Sequence, residues 1–80
     1  MTETSDLLEL AGYVHSGRAR QVRKTAGLTT ASLARDRGVT AATVARWETG
    51  AVQPPRVHAL AWLKLLRRID ATVKEMTADG

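Results

Sequence analysis

Arg46 stands on the outward side of a short run, Thr40 to Glu48, whose other outward residues are Thr40, Ala41, Ala42 and Ala45. A guanidinium is a planar fork of donors. It matches the O6 and N7 acceptors of guanine, a pairing worth about 1–3 kcal/mol of discrimination, or it can hold a phosphate. The methyls of Thr40, Ala41, Ala42 and Thr43 suit the methyl groups of thymine. Hydroxyls, an amide and cations surround the run: Thr30, Thr43, Thr49, Gln53, Arg56, Arg18 and Arg20. Such groups, and helix N-termini, are what meet backbone phosphates. The chemistry this set can perform is recognition of double-stranded DNA by base edge and phosphate. Elsewhere no nucleophile stands beside a base at motif spacing, so no catalysis is expected. His15 and His58 are far apart and there is no cysteine, so neither a metal site nor a cofactor is expected.

To present those residues the chain needs two helices close together. Thr29 or Thr30 can cap a helix over 30–37, with Leu33 and Ala34 inward, and Gly38 ends it. Thr40 then caps a second helix over 41–48, with Val44 and Trp47 inward at i and i+3, ended by Gly50. Upstream, the spacing predicts a helix over 5–15 capped by Thr4 or Ser5, with Leu7, Leu10, Ala11 and Val14 on one face. A helix from about Gly17 to Ala26 follows, with Ala19, Val22, Arg23 and Ala26 on one side and Gly27 as its stop. Downstream, Gln53-Pro54-Pro55 is extended, with Pro55 able to occupy the first turn of the next helix. A long helix then covers 56–77, about 30 Å at 1.5 Å per residue, with a break near Asp70 possible. Val57, Leu60, Ala61, Leu63 or Lys64, Ile69, Val73 and Met76 mark its apolar face, and Trp62 reads as core or dimer contact. No alternating strand pattern occurs. The expectation is an all-α chain forming one domain over 1–80.

The 22-residue window from Thr29 to Gly50 meets every requirement of two helices joined steeply by a short turn. A small residue, Ala34, allows close approach. Gly38 can take positive φ, Val39 plugs the corner, and Leu33, Val44 and Trp47 lock the pair into a core. A generic helical bundle is the bland alternative, but it would not need all six positions filled together. Glu48 sits in the last turn, where a carboxylate opposes the helix dipole and would repel phosphate. It should therefore be turned inward and paired.

With these residues in place, Arg20 to Leu66 resembles the Cro and phage-repressor family of helix-turn-helix domains, often called the XRE family. The matching features are Val22-Arg23, Ala26-Gly27-Leu28, Leu33-Ala34, Gly38-Val39-Thr40, Val44, Arg46-Trp47-Glu48-Thr49-Gly50 and the proline before a leucine-rich helix. The resemblance implies a compact five-helix bundle of the phage-repressor type. Its helix-turn-helix core would span 18–68, with the N-terminal helix as an addition and a long C-terminal helix. It implies that the second helix of the pair enters the major groove and that the partner of Glu48 is Arg23. The alanine-rich outer face departs from the family's usual glutamine- or arginine-bearing helix. Shape readout, or basic arms from Arg18, Arg20, Arg35, Arg37 and Arg56, would then add to specificity.

Charge is distributed to match. Residues 18–68 hold all but one of the Lys and Arg side chains and only two acids, Asp36 and Glu48. The acids Glu3, Asp6 and Glu9 lie before that stretch, and Asp70, Glu75 and Asp79 after it. A basic centre suits a polyanion, although solvated faces of amphipathic helices would also be basic. Eighty residues support one modest core and leave no room for a sensing or catalytic module. No apolar run is long enough for a membrane span, and an acidic N-terminus does not suit a signal peptide, so a cytoplasmic protein is expected. Two readings compete. One is a small stand-alone transcriptional regulator, Cro- or repressor-like, binding operator DNA as a homodimer through its C-terminal or N-terminal helix. The other is a protein-interaction module, such as an antitoxin with a toxin partner or a protein that binds RNA polymerase or another regulator.

Overall fold

A computed structural model describes residues 3–78 and places them in five helices: α1 (Glu3–His15), α2 (Arg18–Thr25), α3 (Thr30–Arg37), α4 (Ala41–Thr49) and α5 (Arg56–Ala78). No strand occurs among the described residues. Asp79, counted above with the acids of the tail, lies outside them.

The short helices end alike, and the sequence dictates how. At Gly38, φ is +70°, a conformation a residue with a Cβ adopts only at a cost. The turn lets the Val39 N–H reach back to the Ala34 carbonyl at 2.9 Å. Leu28 N–H bonds the Arg23 carbonyl at 3.1 Å after Gly27, and Ala51 N–H the Arg46 carbonyl at 3.0 Å after Gly50. This is the six-to-one bond of the Schellman motif, used three times to satisfy the last carbonyls of a helix. At the front of α3 it is Thr29, not Thr30, that caps. Its Oγ1 accepts from Ser32 N–H at 3.0 Å, and Ser32 Oγ accepts in return from Thr29 N–H at 3.1 Å.

Every helix contributes to one core. Leu10 comes from α1, Ala19 and Val22 from α2, Leu33 and Ala34 from α3, Val44 and Trp47 from α4, and Ala59, Trp62, Leu63 and Leu66 from α5. Trp47 and Trp62 meet at 6.0 Å between ring centroids with planes at 39°, and His58, one turn before Trp62 on α5, lies 5.5 Å from Trp47. Offset, tilted ring pairs of this kind are preferred over flat sandwiches. They tie α4 to the first half of α5.

Four expectations are corrected. α1 begins at Glu3, so Thr4 and Ser5 are inside the helix rather than capping it. Ala26 is the C-cap of α2 and exposed, because the chain is already turning toward Gly27. Pro55 stands just before α5, its carbonyl accepting the Ala59 N–H at 2.8 Å. The inward face of α5 is rotated from the one expected: Ala59, Trp62, Leu63 and Leu66 are buried, while Val57 is 75% exposed and Met76 74%. The two tryptophans decide this, since burying both fixes which side of α5 faces α4. α5 also runs unbroken through Asp70.

Candidate nucleic-acid interface

α4 is positioned from three sides. Val44 and Trp47 anchor it to the core, Thr40 caps it by accepting the Thr43 N–H at 3.2 Å, and Glu48 fastens its last turn to α2. The Arg23 guanidinium donates from Nε to Glu48 Oε2 at 2.5 Å and from a terminal nitrogen to Oε1 at 3.1 Å, and its other terminal nitrogen donates to the Leu28 carbonyl at 2.9 Å. Both side chains are buried. A bidentate pair with a third bond to the backbone fixes direction as well as distance. It turns the one carboxylate of α4 away from the outer surface.

That outer surface is the exposed set Thr40, Ala42, Ala45 and Arg46. Arg46 enters no ion pair among the described residues. Ala41 departs from expectation: it is half-buried against the core, so its methyl offers less to a ligand. The Thr43 hydroxyl lies 2.8 Å from that of Thr40, so the two act as one hydroxyl pair at the start of the helix. With only small side chains around Arg46, a helix of this shape can approach a groove floor closely.

The phosphate candidates separate into groups. Arg20, Thr30 and Thr49 line one groove together with Ala45, beside the Arg23–Glu48 pair and the end of α1 at His15 and Ser16. Thr30 opens α3, and the Thr49 hydroxyl donates to the Arg46 carbonyl at 3.1 Å and accepts from the Ala51 N–H at 3.4 Å. Gln53 is exposed but borders a different cleft, with Leu7, Ala11, Val14 and Pro54. Arg18 and Arg56 are exposed but already engaged with carboxylates: Arg18 is bound to Asp70 on α5, and Arg56 is paired through two nitrogens with Glu3 on α1. Arg20, Lys24, Arg35, Arg46, Lys64 and Arg68 are the exposed cations without an ion pair among the described residues.

The acids that flank the basic centre in sequence are therefore folded onto it. Arg67 on α5 binds Asp6 at 2.9 Å and Glu9 at 2.7 Å, both on α1. The hydrogen bonds that Arg67 donates hold the Glu9 carboxyl below its ordinary value, and having Glu9 and Asp6 as acceptors pushes the Arg67 guanidinium up. Burial alone would push the Asp70 carboxyl up, but Arg18, the Tyr13 hydroxyl and Lys74 outweigh it and hold it below the usual carboxylate range. Burial, and then the charge of Asp70, push the Tyr13 hydroxyl up. Apart from Lys74 with Asp70, one turn apart on α5, these contacts escaped the sequence reading because they join residues more than fifty positions apart. Only the sign of the charges hinted at them.

A family model described as a helix-turn-helix domain matches residues 16–77, which is most of the chain. Comparison with curated proteins and with solved structures gives no match.

Proposed function

The chain belongs to the helix-turn-helix domain family, which supports a DNA-binding regulator in general, and from that premise we propose a small, non-enzymatic, cytoplasmic transcriptional regulator of the Cro and phage-repressor kind. α4 enters the major groove of operator DNA. Arg46 reads a base edge, helped by the methyls of Thr40, Ala42 and Ala45. Arg20, Thr30 and Thr49 hold the phosphate backbone beside it, and Thr43 and Gln53 add polar contacts from the two ends of α4. One observation carries this reading: the exposed face of α4 bears a single long side chain, unpaired, on a helix fixed from three sides.

One subunit of this size makes few contacts, so we propose that it acts as a homodimer, each α4 reading one half-site. The surface we assign to the partner copy is the groove between the end of α2 and the second half of α5, lined by Ala26, Leu65, Ile69 and Met76. Selection of bound fragments from random duplex DNA tests both statements. The expected outcome is an enriched palindrome with half-sites about 34 Å apart. Enrichment of no sequence would contradict the reading, and a single unrepeated half-site would contradict the dimer.

A second reading keeps some support. Leu8, Val57 and Met76 are large apolar side chains left exposed, as a protein-binding module such as an antitoxin would have. In that case binding to the protein partner survives loss of Arg46.

A further inference from the structure

The groove beside α4 is closed on one side by a segment outside the helix-turn-helix pair. His15, the last residue of α1, and Ser16 line it with Arg20, Thr30, Ala45 and Thr49. His15 is exposed but lies against α4. Its ring, with the Val14 side chain, packs over Gly50, where an added Cβ would stand 3.7 Å from His15 Cε1 and 3.6 Å from Val14 Cγ1. Gly50 ends α4, so the end of α1 packs against the end of the helix proposed to read DNA.

We propose that this groove is a phosphate site and that His15, in its charged form, is a phosphate ligand which α1 adds to the DNA-binding surface, an inference that rests on the DNA-binding reading above. Charge complementarity argues for an anion. The ionisable groups facing His15 across the groove are Arg20 and Arg23 from α2 and Glu48 from α4. Glu48 is neutralised by its two bonds from Arg23, so Arg20 is left as uncompensated positive charge. The Thr30 hydroxyl lines the same groove as a donor for phosphate oxygens. No titratable group lines the other cleft that His15 borders, where its neighbours include Trp47, Gly50, Val52, Gln53 and Pro54.

The consequence is proton-linked DNA binding. Affinity for a selected duplex is measured at constant salt between about pH 5 and 8, where an imidazole changes charge, for the native chain, His15→Gln and His15→Lys. The native chain is expected to bind about tenfold more tightly at the acid end, the effect of one charge-assisted hydrogen bond. His15→Gln should bind with the weaker affinity throughout, and His15→Lys with the tighter. The salt slope at the acid end should fall by about 0.9 in His15→Gln, one phosphate fewer. Circular dichroism melts at each pH separate this from unfolding. A native pH dependence that persists in a folded His15→Gln overturns the role of His15, while the DNA-binding reading stands. Absence of duplex binding at every pH overturns both.

Discussion

Two arginines at α4 do different work, and burial separates them. Arg23 is enclosed with Glu48 and makes three hydrogen bonds at once. Removing either partner leaves a buried charge without its counterpart, which costs roughly 3–5 kcal/mol. A domain of 80 residues has a total stability of about 4–12 kcal/mol, so this is a large fraction. Arg23→Ala and Glu48→Ala should each lose about that much in denaturant melts, and near-neutral melts would show the pair to be dispensable. Arg46 is exposed, and truncating it should leave the melt unchanged. At this scale much was legible. The need to bury Glu48 follows from its place at a helix C-terminus, and the positive φ of Gly38 follows from the tight turn around it. What was not legible is the engagement of Arg18 and Arg56, because an arginine's partner is chosen by distance in space and theirs are on α5 and α1.

Among the elements, α1 is the one whose role changes most between sequence and structure. Its acids read as a charge excess at one end of the chain. In the fold they bind Arg56 and Arg67 of α5, so α1 is held by ion pairs along its outer side and by Leu10 in the core. Glu9 and Asp70 have carboxyls held below their ordinary values. A carboxylate depressed in the folded state contributes stability above its unfolded value and loses it as pH falls through the folded one. The midpoint of thermal melting should therefore decline on acidification through and below the ordinary carboxylate range. In Arg67→Ala, which frees Glu9, the decline should be shallower. An equal decline in both proteins would show that these pairs do not govern acid stability. The face of α5 was misjudged for a related reason. An apolar helix with hydrophobic residues on more than one side leaves its rotation open, and only the packing of Trp47 on Trp62 settles it.

For the whole molecule, folding converts a chain with acidic ends and a basic middle into a body in which the acids of α1 and Asp70 of α5 pair with arginines of α2 and α5. Arg20 and Arg46 stay free near the outer face of α4. The all-α class and the order of helices were legible because glycine stops and helical periodicity are local signals. The shared groove of α1, α2, α3 and α4 was not, since no local signal says that His15 comes to rest against Gly50. The central claim is that α4 reads duplex DNA through Arg46. Its most direct test is the affinity of the native chain and of Arg46→Ala for the selected duplex and for an unrelated duplex at the same salt. The expected result is a loss of about 1–3 kcal/mol on the selected site, with a much smaller loss on the unrelated one. Equal affinities of the two proteins for the selected site would contradict it.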